Sequence, residues 1–311
     1  MSIGPSRRVA WPWIGVGLVV VFGFGAALTG DATIMGVAVF SLLAALAALA
    51  YNLLIGFAGQ LSFGHAGFYA VGGYTAAILG ARTGLSLVLV LVITMVPAIL
   101  VGVLVGLPSL RIRGLFLALV TLAFAEITRL LAANSELTGG WTGIVGIPRP
   151  DLFGYVLSSR EYLGFVTLVT SFAILACINL TRSNIGRGLL AIRSNEDVAA
   201  SVGIEPWRAK LTVFVFSSCL VGLAGALTVY YIRYVGPDLF TVGYTIQILA
   251  VAAITRFVGL VSVVPAAVLL VGVPEIAFRN YPHLVDLMYA GLLLAAIMIP
   301  EVRDRRKSSD A

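Results

Sequence analysis

Long apolar runs separated by short polar segments extend along almost the whole of this chain. Each run approaches the length that a tilted α-helix needs to cross the apolar core of a bilayer. The predicted spans cover residues 13–28, 35–57, 63–79, 85–107, 115–131, 163–180, 211–231, 242–254, 258–273 and 284–299. The pattern therefore predicts an all-α polytopic membrane protein with about ten transmembrane or partly embedded helices.

Composition excludes a soluble protein. Of the 311 residues, 60% are hydrophobic and 11% are charged, and the mean hydropathy is +1.04. A soluble domain of this size cannot bury that much apolar surface. No segment of disordered composition divides the chain, so we expect one transmembrane domain over residues 1–311, with long polar loops at 132–162 and 181–210.

Positive charge is distributed unevenly between these loops. If the amino terminus lies in the cytoplasm, fourteen of the twenty Lys and Arg residues fall on the cytoplasmic side, in line with the positive-inside rule. This predicts that both termini and loop 181–210 are cytoplasmic and that loop 132–162 is extracytoplasmic. The net charge of +6 then reflects orientation and indicates no nucleic-acid partner.

The first apolar run follows Arg7 and Arg8, so a cleaved signal peptide is an alternative interpretation. Trp11 and Trp13 lie at its start, where aromatic rings favour the membrane interface. We therefore predict that the run is retained as the first span.

The sequence contains no recognisable catalytic or cofactor-binding motif. Neither lysine follows a glycine, so there is no phosphate-binding loop of the Gly-x-x-x-x-Gly-Lys type. His65 and His283 cannot form a His-Glu-x-x-His metal site, and Ser62 with His65 lacks the spacing of a hydrolase. We predict a protein that is not an enzyme and binds no cofactor or metal.

Residues 51–80, "YNLLIGFAGQLSFGHAGFYAVGGYTAAILG", contain seven glycines. Glycine at this density allows helices to approach closely and allows a span to break inside the membrane, where freed backbone groups line a polar cavity. The polar side chains of this stretch include Asn52, Gln60, Ser62, His65, Tyr69, Tyr74 and Thr75. Because polar groups inside a membrane are costly, we predict a solute path here; for His65 the alternative is a hydrogen-bonded packing residue.

Glu126 is a further candidate for the solute path. It lies three residues before Arg129 in an apolar run, and this spacing places both side chains on one face of a helix. Glu126 is therefore either a path residue or half of a structural ion pair.

The segment 186–210 is the most polar part of the chain interior. Ser194 is predicted to cap a two-turn helix over residues 194–203, with Asn195, Glu196 and Asp197 in its first turn. Gly203 is the expected left-handed end, and Pro206 begins the next helix. The apolar face of the short helix is predicted to consist of Val198, Ala199 and Val202, and such a helix between two spans is suited to docking another protein.

Four segments carry a family resemblance. "YNLLIGFAGQLSFGHAGFYAVGGYTAAIL", "RIRGLFLALVTLAFAEI", "LTGGWTGIVGIP" and "GRGLLAIRSNEDVAASVGI" resemble, in order, motifs of the permease subunits of branched-chain amino acid type ABC importers. The resemblance is to the longer of the two permeases of a pair and extends from about residue 35 to residue 300.

This resemblance implies a multi-pass protein of the bacterial inner membrane that forms the path together with a sister permease. It also implies two ATPase subunits, which hold ATP and Mg, and an extracytoplasmic solute-binding protein. The stretch with Ala199, Ala200 and Gly203 is similar to the coupling-helix motif of that superfamily. The family implies branched-chain or other hydrophobic amino acids as cargo.

The chain departs from the family at "ITRFVGLVSVVPAA". Gly259 and Pro265 are kept, but Thr255, Arg256 and Phe257 replace the usual paired glycines, and we predict that Arg256 faces the cytoplasmic interface. The departure leaves other cargoes open, namely urea, amides or aromatic acids in the same assembly. An ion-coupled secondary transporter that uses Glu126 and His65 as proton carriers is the remaining alternative.

Overall fold

The computed structural model describes residues 5–109, 115–277, 288 and 291, with side chains from residue 13 onward except those of 115 and 256–258. Within these residues the α-helices are α1 Pro5–Thr29, α2 Ala32–Asn52, α3 His65–Thr83, α4 Leu87–Ser109, α5 Leu115–Asn134, α6 Ser159–Arg182, α7 Asn184–Ser194, α8 Glu196–Ser201, α9 Pro206–Ile232, α10 Val242–Val258, α11 Val263–Ala267 and α12 Val273–Ala277. Two π-helical segments, Leu53–Ala58 and Val268–Gly272, continue α2 and α11. Short 3₁₀ turns occupy Glu136–Thr138, Gly140–Thr142, Pro237–Leu239 and Leu260–Ser262.

Seven helical segments in the described part of the chain are long and apolar enough to cross a membrane. They are Ala32–Ala58, Leu87–Ser109, Phe116–Asn134, Ser159–Arg182, Pro206–Ile232, Pro237–Thr255 and Leu260–Ala277. A shorter apolar helix covers Trp13–Thr29. The chain is thus an all-α polytopic membrane protein, as predicted. The tenth predicted span, 284–299, lies outside the described residues apart from Met288 and Gly291, so the helix total and the side of each terminus stay predictions.

Helices α2 and α9 form the centre of the bundle. In each of them 78% of the most apolar stretch is buried, against 28% in α4, whose Leu and Val side chains face outward. Helix α3 packs against α9, α4 and α5, while α1 and α6 cover the other side of α2. Outward apolar faces of this kind are suited to lipid or to a second membrane subunit.

Glycine allows α3 and α9 to cross at close range. A Cβ atom on Gly72 would overlap the backbone of Gly222, and one on Gly225 would overlap the carbonyl of Tyr69. Small residues at such a crossing allow two backbones to touch, which increases dispersion contact between membrane helices. The predicted role of this glycine-rich stretch in close packing is confirmed.

Short strands join the loops at one end of the bundle. Strand β1, Ile144–Val145, pairs antiparallel with a later strand, while β2, Asp151–Leu152, pairs with β3, Tyr155–Val156. The partner of β1 is β4, Tyr234–Val235, which directly follows α9. We call this end, with the α5–α6 segment, the loop end, and the opposite end, with α7 and α8, the short-helix end.

Candidate functional site

A non-helical stretch follows the helical segment Ala32–Ala58 inside the glycine-rich region, and we call residues 59–64 the break. That this break lies within the membrane stays a prediction. The π-helical segment Leu53–Ala58 ends at Gly59, whose φ of +66° favours glycine, and α3 begins at His65. Residues 59–64 between them are not helical. The break therefore leaves backbone groups outside helical hydrogen bonding in the half of the bundle nearer the short-helix end.

Side chains of the bundle satisfy part of this freed backbone. The Tyr51 hydroxyl donates a hydrogen bond to the carbonyl of Ser62, and the Phe63 amide donates to Thr121 Oγ1 at 2.9 Å. Asn52 Nδ2 donates to Ala48 O at 3.0 Å. The break is thus a built feature held by α2 and α5 and not a frayed end.

His65 is enclosed at the start of α3. It is 1% exposed, its ring centre lies 4.1 Å from that of Tyr51, and its Nε2 lies 3.4 Å from Ser217 Oγ. The Ser217 hydroxyl also donates to Ala50 O at 3.0 Å, so Ser217 links α9 to both α2 and His65. Within the described residues the other nitrogen, Nδ1, has no hydrogen-bond partner.

Two further polar side chains lie at the break. Gln60 is buried, and its Oε1 has no hydrogen-bond partner among the described residues. Asn52 Nδ2 also donates to Thr255 Oγ1 at 2.5 Å, which links the end of α2 to α10. Thr255 belongs to the segment in which the sequence departs from the motif that the resemblance leads one to expect, and this segment supplies a contact to the break. The side chain of Arg256 lies outside the described residues, and its predicted position stays a prediction.

A cavity of about 270 Å³ lies beyond the break, toward the loop end. Its polar lining comes from Tyr69, Thr228, Tyr244, Gln247 and Glu275, and its apolar lining comes from Phe40, Leu43, Ala44, Ile232, Leu239 and Val271. The Tyr69 hydroxyl donates to Thr228 Oγ1, and the Tyr69 and Tyr244 ring centres are 4.3 Å apart. Tyr69 is one helical turn beyond His65 on α3, so the cavity and the break are neighbours.

The predicted path residues thus lie in three places. Tyr69 lines the cavity, whereas Asn52, Gln60, Ser62 and His65 surround the break. Tyr74 lies one turn further along α3, with its ring 5.3 Å from that of Phe240. Their roles in transport stay predictions.

Glu126 is held in an ion pair on α5. Arg129 Nη2 lies 2.5 Å from Glu126 Oε1, and the guanidinium also approaches the ring of Trp141 at 5.8 Å. The i, i+3 pair expected from the sequence is present. This geometry favours the structural interpretation of Glu126.

Sequence reasoning missed most of the cavity lining. Thr228, Tyr244, Gln247 and Glu275 lie on helices that carry no glycine cluster. A usable signal was present, because Gln247 and Glu275 are strongly polar residues inside otherwise apolar stretches.

At the short-helix end, the predicted short helix is α8, but its cap differs from the prediction. Asn195, not Ser194, is the N-cap, and its Oδ1 accepts from the amides of Asp197 and Val198 at 3.0 and 3.1 Å. Ser194 is the last residue of α7, an unpredicted helix, and its hydroxyl donates to Leu190 O. Gly203 has a φ of +84°, and Pro206 begins α9, as predicted.

The apolar face predicted for this helix also needs correction. Val198 and Val202 are 60% and 72% exposed, whereas Ala199 is 2% exposed and faces the bundle. Residues four apart share a helix face, and the residue next in sequence lies about 100° round it. The exposed apolar pair is therefore Val198 on α8 and Val202, the residue that caps its end.

Ion pairs and backbone contacts hold α7 and α8 against the bundle. Lys210 Nζ on α9 lies 2.8 Å from Glu196 Oε1 in the first turn of α8. On α7, the Arg193 guanidinium donates to the carbonyl of Gly56 in the π-helical segment. The short helices therefore directly contact the helical segment that precedes the break.

Three features are typical of a membrane transport protein, namely a non-helical break between packed helices, a polar cavity inside an apolar bundle and a clamped helix pair at one end. Comparison with known proteins identifies its kind. Residues 33–299 match the family described as branched-chain amino acid transport system / permease component. The chain belongs to this family, which is one of transport proteins and not of enzymes.

Named relatives agree with the family match. The high-affinity branched-chain amino acid transport system permease protein LivM of Escherichia coli strain K12 is 36% identical across 79% of this chain. The chain covers 64% of that relative's length. The L-arabinose transport system permease protein AraH of Escherichia coli strain K12 is 23% identical across 64% of the chain and 61% of the relative. No solved structure matches the chain.

Proposed function

We propose that the chain is a permease subunit of an ABC importer in a bacterial cytoplasmic membrane, with branched-chain or other hydrophobic amino acids as cargo. The family match over residues 33–299, together with the 36% identity to LivM, carries this proposal. The proposed partners are a sister permease, two ATPase subunits and an extracytoplasmic solute-binding protein.

The cavity beside the break is the proposed solute path. Phe40, Leu43 and Val271 offer an apolar wall to an aliphatic side chain. The Glu275 carboxylate and the Gln247 amide are hydrogen-bond acceptors suited to an ammonium group. A mostly apolar pocket with a few polar groups is the usual form of a small-molecule site. Asn52, Gln60, Ser62 and His65 then form a gate at the break between this cavity and the short-helix end.

Helix α8 is the proposed docking site for an ATPase subunit, which holds the ATP and Mg. Val198 and Val202 present an exposed apolar pair, while the Asn195 cap and the Lys210–Glu196 ion pair fix the helix on α9. A small rigid apolar surface of this kind inserts into a groove at little entropic cost. The chain thus receives motion from its partner through α8.

Other cargoes are the second candidate. A 23% identical relative bears the name of an L-arabinose permease, so chains of related sequence are named for unlike solutes. Urea, amides and aromatic acids therefore stay as alternatives. The ion-coupled transporter is less favoured, because Glu126 is paired with Arg129 on α5 and does not line the cavity.

Reconstitution of the four kinds of subunit in proteoliposomes tests the proposal. Uptake of labelled leucine is expected to require ATP inside, the binding protein outside and this chain, and to be insensitive to collapse of the proton gradient. Urea, phenylalanine and L-arabinose serve as competing cargoes. Uptake driven by the proton gradient without ATP would refute the assignment to an ABC importer. Uptake of one of the competing cargoes by a preparation that does not take up leucine would refute the proposed cargo.

A further inference from the structure

A second cavity lies at the loop end, away from the proposed path. Its volume is about 220 Å³, and it lies between the turn before α6 and the end of α9. Arg149 and Arg233 contribute two guanidinium groups to its lining, and Ser158 and Ser159 contribute hydroxyls at the start of α6. Such a collection of donors around one small space is suited to an anion.

The two arginines differ in how they are held. Arg233 follows α9 directly in a left-handed conformation, with φ of +58°, and its Nε donates to Ile147 O at 3.0 Å. This bond fixes the guanidinium and leaves its terminal nitrogens as donors. Arg149 forms no hydrogen bond or ion pair with the residues that the structure describes.

The amino-terminal end of α6 adds to the positive electrostatic potential at this cavity. Ser158 caps the helix through a reciprocal pair with Glu161, whose Oε2 accepts from the Ser158 amide at 2.7 Å. Glu161 Oε1 accepts from the Tyr155 hydroxyl at 2.7 Å, so both carboxylate oxygens are engaged. Nearby Asp151 accepts from the Gly154 amide at 3.2 Å. The helix dipole and the two arginines thus face a cavity whose neighbouring carboxylates have partners.

Apolar and aromatic side chains form the rest of the cavity wall. They include Leu157, Tyr162 and Tyr231, and the two tyrosine rings are stacked with their centres 5.9 Å apart. Tyr230 also belongs to the wall, but its hydroxyl is buried against Gly80 on α3. This wall is suited to contact the apolar part of a ligand.

We propose that this cavity binds the carboxylate of a small amphipathic organic acid at the loop end of the permease. The guanidinium groups of Arg149 and Arg233 pair with the carboxylate, and the Leu157 and tyrosine wall contacts the apolar part. Because this assignment rests on the proposed function, the acid is the transported amino acid, held before it reaches the cavity of Tyr69 and Glu275.

Photo-leucine, a diazirine analogue of leucine, tests the proposal on the complete transporter in nanodiscs. Labelling is expected on segment 149–162, which lines this cavity and not the cavity of Tyr69 and Glu275, and it is located by peptide mass spectrometry. It should fall at least tenfold in Arg149→Gln and in Arg233→Gln. The matched control is Arg82→Gln, an exposed arginine at the same end that does not line the cavity. Arg149→Gln keeps the test interpretable, because it removes no hydrogen bond or ion pair among the described residues.

Competitors identify the source of the anion. Leucine and 4-methylpentanoate should suppress the labelling, whereas leucinamide, which lacks the carboxylate, should not. The labelling is also compared in nanodiscs of phosphatidylglycerol and of phosphatidylcholine. If only phosphatidylglycerol suppresses it, the cavity binds a lipid headgroup and the proposal is overturned.

Uptake of leucine by the same preparations separates this inference from the proposed function. If leucine is taken up but no label appears in the cavity, the carboxylate site is overturned and the permease assignment stays intact. The same holds if both arginine variants keep the label. Carboxylate-dependent label without any uptake would support the site and refute the proposed cargo.

Discussion

At the scale of single residues, the glycines of α3 show most directly how sequence sets structure. Gly72 has no room for a side chain, since a Cβ atom there would overlap the backbone of Gly222 on α9. Gly59 ends the π-helical segment in a conformation that other residues rarely adopt. Gly72 thus allows α3 and α9 to pack together, and Gly59 ends the helix before the break.

Gly72→Val is therefore expected to separate α3 from α9. Overpacking of a tight contact costs about 1–3 kcal/mol, so the purified protein should melt at a lower temperature in detergent. Gly164→Ala on α6 is the matched control, because a Cβ atom there meets nothing within 4 Å. Equal melting temperatures for wild type and Gly72→Val would contradict the observed crossing.

Residue types predicted the break better than they predicted the path. Glycine density and polar side chains in an apolar stretch indicated where α2 stops. The backbone freedom of glycine and the cost of burying a polar side chain both depend on the local sequence. The cavity escaped prediction because Tyr69, Thr228 and Glu275 come from separate helices that only tertiary packing brings together. Ser194 and Asn195 are both favourable N-cap residues. Because α7, which the sequence did not predict, extends through Ser194, Asn195 is the residue that caps α8.

At the scale of elements, α7 links the short-helix end to the break. Arg193 donates to Gly56 O, and α8 follows α7 after the single cap residue Asn195. Motion applied to α8 can therefore reach the π-helical segment through one side chain. This gives a physical route between the proposed docking site for an ATPase subunit and the proposed solute path.

Arg193→Gln is expected to weaken that route while the complex stays assembled. Leucine uptake should fall several-fold, and ATP hydrolysis should become less dependent on loaded binding protein, because the bond to Gly56 is lost. Arg187→Gln is the control, since the hydrogen bonds of the Arg187 guanidinium within the described residues go to the nearby Arg182 O and Asn184 Oδ1. Uptake coupled to hydrolysis as in wild type would show that α7 does not transmit motion through Arg193.

At the scale of the whole molecule, the loop end and the short-helix end are predicted to lie on opposite sides of the membrane. The positive-inside rule assigns the short-helix end to the cytoplasm. A single cysteine in place of exposed Thr142 should react with a membrane-impermeant maleimide from outside, and one in place of exposed Ser201 only from inside. Both are made with Cys177 and Cys219 replaced by alanine. The reverse labelling pattern would invert the proposed orientation.

The central claim is that α8 docks an ATPase subunit through its exposed apolar pair, and the most direct measurement is hydrolysis of ATP by the assembled transporter. The double change Val198→Glu and Val202→Glu leaves the buried Ala199 untouched and places charge on a surface that must lose water. Val145→Glu, on an equally exposed valine at the loop end, is the control. The account predicts that the double variant loses both the co-purifying ATPase and the leucine-stimulated hydrolysis, while the control keeps both. Wild-type co-purification and stimulated hydrolysis in the double variant would contradict it.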